Sequence, residues 1–387
     1  MIDWIICGIL LVWISSLAIL VLAARRAMAH SPASASDASD SRVAVFVPVT
    51  GMSKAVESSI QSLLDQTPRS VEVIFALRDP SDPGSVAVRS EIESNESVKC
   101  VFAGPATACG QKNQNLLAGI AAVSSNVEIF VFADAGHGFP PGWLDLLVGP
   151  IACGEAEVTS GYHAIRPADG GFLPWVYAVC VEMMHVFQNA PGLSQPWGGA
   201  MAISRATFDR LKVSDTWRAS IVDDVSLAKV LKIHGVKLRT VPLVRRETTV
   251  SGLHLRELFE WMVRQLQYVR FIFPGTWAFV GAWSIVQVLA FATAGWLVVV
   301  SLLDGSVAPS TAASALYLLL MGVVLLEIRL IHPLPCTPIR WLAAGALFLL
   351  VFGAANGTAG IRRQIQWRGI TYHVGRGGRV LSIRRQL

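Results

Sequence analysis

The residues able to do chemistry lie far apart in this chain. Asp79 and Asp134 each follow an apolar run, Val71–Leu77 (VEVIFAL) and Glu128–Ala133 (EIFVFA). Carboxylates at such places can accept hydrogen bonds from a sugar or a base and can coordinate a hard cation. Gly110-Gln111-Lys112-Asn113 opens a helical stretch with a cation, a place suited to a diphosphate. Trp197-Gly198-Gly199-Ala200 is a small-residue turn entering a strand-like run, and Val222-Asp223-Asp224 opens an amphipathic helix. Each motif also has an ordinary reading. Asp79 before Pro80 suits a turn, Lys112 suits a solvated surface, and Asp223 and Asp224 suit a helix N-terminus as dipole partners. Neither GxGxxG nor GxxxxGK occurs, so no dinucleotide fingerprint or P-loop is supported.

The elements that would position these residues alternate. Strand-like runs at Val43–Pro48, Val71–Leu77, Val98–Phe102 and Glu128–Ala133 are separated by helical stretches at 54–65, 85–94 and 112–124. The runs are β-branched and almost wholly apolar, as in strands covered on both faces. The pattern predicts an α/β fold, an open and mostly parallel sheet flanked by helices. In such sheets ligands bind beyond the carboxyl ends of the strands, where Asp79 and Asp134 fall.

Composition adds a membrane. Of 387 residues 53% are hydrophobic and 15% charged, where soluble domains carry about 25% charged residues. Residues 5–24 hold no charge and are followed by Arg25 and Arg26. That order reads as an uncleaved anchor with the remainder cytoplasmic; a signal peptide has its charges before its apolar stretch. Residues 277–303 form a second, long uncharged run, whereas 312–326 and 341–355 offer 15 uncharged residues each, short for a span. Three full spans after the catalytic region would put the tail outside, against the positive-inside rule, so one of the weak segments is expected to be re-entrant. The tail, 361–387, holds seven Arg and no acid, which suits anionic headgroups or phosphates. Nucleic acid is not expected as a partner.

Residues 253–273 read as an amphipathic helix. Leu255, Phe259, Met262, Leu266 and Val269 form its apolar stripe, with Arg256, Glu260, Arg264 and Gln267 opposite. Such a helix, leading into a span, lies in the interface plane or docks on the soluble domain. The six Cys show no CxxC pair, so neither a disulfide framework nor a zinc site is expected. His137, His163, His185 and His234 are spaced irregularly for metal ligands; His137, three residues from Asp134, is the one worth testing.

Taken in order, Asp79, Lys112, Asp134, WGGAMAIS, Val-Asp-Asp, Arg264-Gln265-Leu266-Gln267-Tyr268 and the closing Trp367-Arg368-Gly369-Ile370-Thr371-Tyr372 resemble the membrane-bound inverting glycosyltransferases of the ceramide glucosyltransferase-like family, including hopanoid-associated bacterial relatives. The resemblance covers nearly the whole chain. It implies a GT-A fold, a UDP-sugar donor, a ceramide-like or hopanoid-like lipid acceptor and a divalent cation, Mg2+ or Mn2+. It also implies roles. Asp79 would contact the base or ribose, and Lys112 the diphosphate. Asp134 would hold the metal and sugar-diphosphate, with Gly199 in the nucleotide-sugar site. Asp224, beside Asp223, would be the general base, and Trp261, Arg264, Gln265, Gln267 and Tyr268 would lie on the acceptor and diphosphate side.

Two departures stand out. Asp134-Ala135-Gly136 carries one acid where the family pattern has two. The pattern (Q/R)xxRW ends here in Gln267-Tyr268, and Trp261 with Arg264-Gln265 is the alternative working set. The expected organisation is an anchor at 1–26, a linker at 27–41, a catalytic domain at 42–252, an interfacial helix at 253–274, membrane segments at 275–360 and a basic tail at 361–387. The Ala-rich composition and short tail fit a bacterial inner membrane. Two other readings share these residues: a polysaccharide synthase, which needs more full-length spans, and a catalytically inactive lipid-binding scaffold.

Overall fold

The computed structural model of the protein describes residues 2–29, 42–68, 70–86, 88, 89, 95–190, 193–305 and 308–385. Residues 30–41 of the expected linker at 27–41, and most of the expected helix at 85–94, lie outside the described residues; 27–29 continue the first helix.

The apolar runs become the sheet. Strands β1 (Val43–Pro48), β2 (Glu72–Leu77), β3 (Val98–Phe102) and β4 (Ile129–Phe132) pair in parallel in the order β3-β2-β1-β4. The sheet continues through β6 (Met201–Ser204), β5 (Val158–Pro167) and β7 (Leu238–Val250) to seven strands, with β6 antiparallel to both neighbours and β5 parallel to β7. Alternation within β1 shows why both faces are covered. Val43, Val45 and Val47 pack with Val56, Ile60 and Leu63 of α2 (Lys54–Gln66). Ala44 and Phe46 pack on the other face with Leu116 of α3 (Gln111–Ala122), Phe130, Phe132 and Trp217. Strand order reverses between β1 and β4, which puts the ligand-binding crevice of such a sheet at their carboxyl ends.

Four further helices belong to this catalytic body. They are α4 (Trp143–Ala152), α5 (Leu173–Asn189) and the short α6 (Arg205–Arg210) and α7 (Val213–Trp217), after which α8 (Asp224–His234) ends on Gly235 at φ +67°. The amphipathic helix is present as α9 (Leu255–Ile272), with a capping box between His254 and Glu257. Its stripe differs from expectation at two points. Leu255 is exposed, and Gln267 is buried, donating from Nε2 to the carbonyls of Arg362 (3.3 Å) and Gln364 (2.8 Å).

Among the described residues four helices are long and apolar enough to cross a membrane: 10–29 within α1 (Ile2–Ala29), α10 (Pro274–Asp304), α11 (Pro309–Arg329) and α12 (Pro338–Ile361). The short uncharged segments gain length by including flanking charges and polar residues, so helix length alone does not single one out. Helix ends do. Arg25 near the end of α1 pairs with Glu327 near the end of α11. The loop after α11 returns to the catalytic body, where His332 Nδ1 lies 2.9 Å from Glu182 Oε1 of α5. Arg340 in the first turn of α12 donates to the carbonyl of Gly170. At the other end of α12, Arg270 of α9 donates to the carbonyls of Ala359 (2.8 Å) and Arg362 (2.7 Å). Both ends of α12 therefore meet the catalytic body.

The tail is a three-stranded antiparallel sheet of β8 (Gln364–Trp367), β9 (Ile370–Val374) and β10 (Val380–Arg385). It folds back onto the catalytic body: Ile221 N donates to Gly378 O and Val380 N to Ala219 O, both at 2.9 Å. Arg368 and Gly369 form the two-residue turn between β8 and β9 with φ of 46° and 74°, as a twist-matched hairpin turn requires.

Candidate active site

A cleft of about 340 Å3 opens at the carboxyl ends of β1 and β4 and is lined by Lys112, Asp134, Asp223 and Asp224 among others. Lys112 reaches it from the first turn of α3, whose N-terminus stands close to the 220–223 segment: Gly110 N donates to Ser220 O at 2.9 Å. A side chain at Gly110 would put its Cβ 2.2 Å from Ile221 O, so only glycine permits this approach. The Lys112 ammonium lies 2.7 Å from Asp134 Oδ1 and 2.8 Å from Asp223 Oδ2. Burial disfavours its charge, but Asp134, Asp223 and Asp224 outweigh that and hold its pKa above the usual lysine value.

The two adjacent aspartates have different surroundings. Asp223 is fully buried, and apart from the Lys112 ion pair its oxygens have no hydrogen-bond partner among the described residues. Burial raises its pKa and Lys112 opposes the rise. Asp224 opens onto the cleft. Its Oδ2 accepts from Gly198 N (3.0 Å) and its Oδ1 from Val225 N (2.7 Å), which fixes the carboxylate in orientation. Burial and the neighbouring Asp223 push its pKa up to about 7 despite Lys112 and those two backbone donors. A carboxylate poised there is a base matched to neutral pH.

Gly198 is wedged between these groups: a Cβ on it would lie 2.5 Å from Asp223 Oδ2 and 2.6 Å from Lys112 Nζ. Gly199, the glycine singled out from the sequence, is one step removed. Its carbonyl accepts from Arg246 Nη1 at 2.6 Å, and a Cβ on it would run into the Trp197 ring. Asp79 also stays outside the lining. Its carboxylate is held by Arg78 Nε (2.6 Å) and Ser81 at the tip of β2. Asp82 is the acid that shapes the loop beside the cleft, accepting from Gly51 N (2.8 Å) and Gly84 N (2.9 Å).

The far wall comes from α9. Trp261, Arg264, Gln265 and Tyr268 are spaced i, i+3, i+4, i+7 and all line the cleft. Gln267 points instead to the tail, where Nε2 donates to the Arg362 and Gln364 carbonyls. Tyr177 of α5 backs Trp261 with ring centres 4.6 Å apart.

Several contributors were not identified as site residues from the sequence. Arg246 of β7 is fully buried, its guanidinium 3.5 Å above the Phe139 ring, and it ties together the carbonyls of Asp134 (2.8 Å), Gly199 (2.6 Å) and His137 (2.5 Å). Burial lowers its pKa to about 9. The doubled Arg245-Arg246 within a strand pattern was the available signal. His137 and His163 both hydrogen-bond Thr248 Oγ1, at 2.7 and 2.8 Å, and burial pushes both well below the usual histidine pKa. His163 stacks on Trp197 at 4.6 Å, so these imidazoles serve a packed aromatic floor. Trp367, Arg368 and Tyr372 of the tail hairpin also line the cleft, and Tyr372 Oη accepts from Gln111 N at 3.2 Å. The closing WRGITY motif was noticed in the sequence without a role at the site.

No group of three or more His, Cys, Asp or Glu among the described residues could hold a metal alone. A single carboxylate that shares a cation with substrate phosphates is a different arrangement. Asp134 fits it: Lys112 takes its Oδ1, and its partly exposed side chain faces the cleft.

The sequence matches glycosyl transferase family 21 over residues 8–380, and the chain belongs to that family. Among curated proteins no sequence match is found. Solved structures of similar fold include a mannosyltransferase from Pyrobaculum calidifontis in complex with GDP-Man and Mn2+, at 19% identity over 92% of this chain and 98% of that one, with a TM-score of 0.48. Another is glucosyl-3-phosphoglycerate synthase from Mycobacterium tuberculosis in complex with Mn2+, UDP and phosphoglyceric acid, at 19% identity over 60% of this chain and 78% of that one, with a TM-score of 0.40. Membership of that family makes sugar transfer the activity class, on an α/β fold with an open, mostly parallel sheet.

Proposed function

We propose that the protein transfers a sugar from a UDP-sugar to the hydroxyl of a membrane lipid, with inversion at the anomeric carbon and Asp224 as general base. One observation carries the reading: a cleft-facing carboxylate, oriented by the backbone N–H groups of Gly198 and Val225, stands beside the Lys112–Asp134 pair, under a helix that leads directly into apolar segments. The acceptor oxygen attacks the anomeric carbon as its proton passes to Asp224. The bond to the diphosphate oxygen breaks, and the nucleoside diphosphate leaves. Attack and departure on opposite faces invert the centre.

Lys112 and Arg264 balance the charge that develops on the departing diphosphate. Asp134 would hold a divalent cation together with diphosphate oxygens, and that cation supplies further neutralisation of the leaving group. Asp223 stays buried and fixes Lys112. Trp261, Gln265 and Tyr268 shape the acceptor side, and Arg246 keeps the Asp134 loop and the Gly199 turn in register.

The helix ends support a membrane arrangement. The tail packs on the catalytic body, so an even number of crossings separates residue 252 from residue 364. α10 and α11 form a crossing hairpin, α1 is the anchor, and α12, with both ends at the catalytic body, lies on the membrane's near side. Arg25 and Arg26, at the end of the anchor, favour the cytoplasmic side for that body.

The test uses full-length protein in detergent with extracted membrane lipid, UDP-sugars as donors, and lanes with and without Mg2+ or Mn2+. The expected result is lipid-dependent UDP release that Asp224→Asn loses and chelation suppresses. Equal release by the variant, or no release from any donor, contradicts the reading.

A further inference from the structure

Two histidines on the floor of the cleft share one hydroxyl. Nδ1 of His137 lies 2.7 Å from Thr248 Oγ1, and Nδ1 of His163 lies 2.8 Å from the same atom. The backbone brings them there. Gly138 N donates to Glu247 O at 2.8 Å, which holds His137 against β7, and His163 of β5 is paired directly with β7. Burial above all, with the Arg246 guanidinium adding to it, disfavours a charge on either ring. Both imidazoles are neutral at neutral pH.

A hydroxyl has one proton to give. Thr248 donates it to one Nδ1 only, so the other imidazole carries its own proton on Nδ1 and donates to Thr248. In a neutral imidazole the second nitrogen takes the opposite role. The ring that donates from Nδ1 keeps a bare Nε2, an acceptor. The ring that accepts at Nδ1 carries its proton on Nε2, a donor. Thr248 thereby imposes unlike tautomers on the pair.

Both rings line the cleft. Among the described residues neither Nε2 has a partner, and unlike those of His185 and His332 neither is sealed inside the protein. Their place in the cleft points to a use. His137 follows Asp134 by three residues, and His163 stacks at 4.6 Å on Trp197, the neighbour of the Gly198 that holds Asp224. The floor therefore runs from the acid facing the diphosphate to the proposed base. A sugar whose anomeric carbon lies between those two groups rests on it. Aromatic faces with a few fixed polar atoms are what such a ring needs for orientation.

We infer that His137 and His163 recognise the sugar of the donor, the bare Nε2 accepting from one ring hydroxyl and the Nε2–H donating to another. The inference rests on the transferase reading above and names the residues that choose the sugar.

The test titrates full-length protein in detergent with Mn2+ against UDP, UDP-glucose, UDP-galactose and UDP-N-acetylglucosamine, and assays UDP release from these donors with extracted membrane lipid. The parent is expected to prefer one sugar. His137→Phe and His163→Phe keep the ring and remove both nitrogens, so each is expected to lose about tenfold of that preference, in affinity and in kcat/KM. UDP itself should bind these variants as it binds the parent, which also shows that they fold. His137→Gln and His163→Gln, with a polar group near the Nε2 position, should recover part of the preference. A parent without preference among the sugars overturns the inference. Undiminished preference in the Phe variants overturns it too, and leaves the transferase reading standing. UDP affinity falling as far as UDP-sugar affinity reduces the histidines to packing, which also overturns it. Histidine-dependent preference among bound UDP-sugars, with UDP release from none of them, keeps the sugar site and takes down the transferase reading.

Discussion

Two clusters of buried charge flank the aromatic group of His163, Trp197 and Tyr162, and they are built in opposite ways. On one side Glu182 of α5 pairs with Arg245 at 2.5 Å and lies 2.9 Å from His332 Nδ1, with His185 Nδ1 3.7 Å from its other oxygen. One carboxylate meets one guanidinium. Burial works against the Glu182 charge, yet Arg245, His185 and His332 hold its pKa low, while burial lowers His185 to about 4. On the other side one ammonium serves three carboxylates, and Asp224 is pushed up to about 7. Tyr162 stacks on His185 of the first cluster at 5.2 Å and tilts against Trp197 at 5.6 Å. Matched charge sealed between α5, β7 and the loop after α11 joins the catalytic body to its membrane part. Unmatched charge at an open cleft is available for a proton and for phosphates.

The comparison is sharpest at its two acids. Asp224→Asn keeps the shape and one of the two backbone contacts, its amide oxygen accepting from Gly198 N or Val225 N, and removes the proposed base, so transfer is expected to fall about 10²- to 10⁴-fold. Thermal unfolding of this variant in detergent should stay near that of the parent. Glu182→Gln should do the reverse. It leaves the Arg245 charge buried without its partner, at a cost of about 3–5 kcal/mol, read as a lower unfolding midpoint. Turnover per folded molecule should survive it. A Glu182 variant that kept its stability and lost turnover would break the distinction between the clusters.

A smaller effect is expected at Gly198. Its Cα faces both Lys112 and Asp223, so Gly198→Ala must push them apart by some tenths of an ångström or more. Misplacement on that scale costs roughly 10- to 100-fold in rate. The readout is kcat against donor KM: a loss confined to acceptor KM would mean that the wedge matters elsewhere.

Much of this was legible in sequence because local chemistry dictated it. The apolar runs gave β1 to β4 within a residue or so, and helical spacing put Trp261, Arg264, Gln265 and Tyr268 on one face. What stayed hidden depends on distant partners. Arg246 looks like a surface charge until the carbonyl of Asp134, 112 positions earlier, is seen to need it. Gln267 reads as polar-face until the tail's carbonyls are beside it. Asp79, an acid at a strand tip that drew attention in the sequence, is held by its own turn and by Arg78, outside the cleft lining. β5 and β7 carry too many polar residues for their burial to show in a single sequence, and the fold-back of the tail is a tertiary event.

The account turns on the proton at Asp224, and the pH dependence of kcat/KM, which reports the free enzyme, tests it most directly. With the lipid acceptor well below saturation, kcat/KM should be constant above the Asp224 pKa, pushed up to about 7, and fall as protonation removes the proposed base, about tenfold per pH unit below it. A kcat/KM unchanged from about pH 5 to 8, with chemistry shown to limit it, would contradict Asp224 as the base.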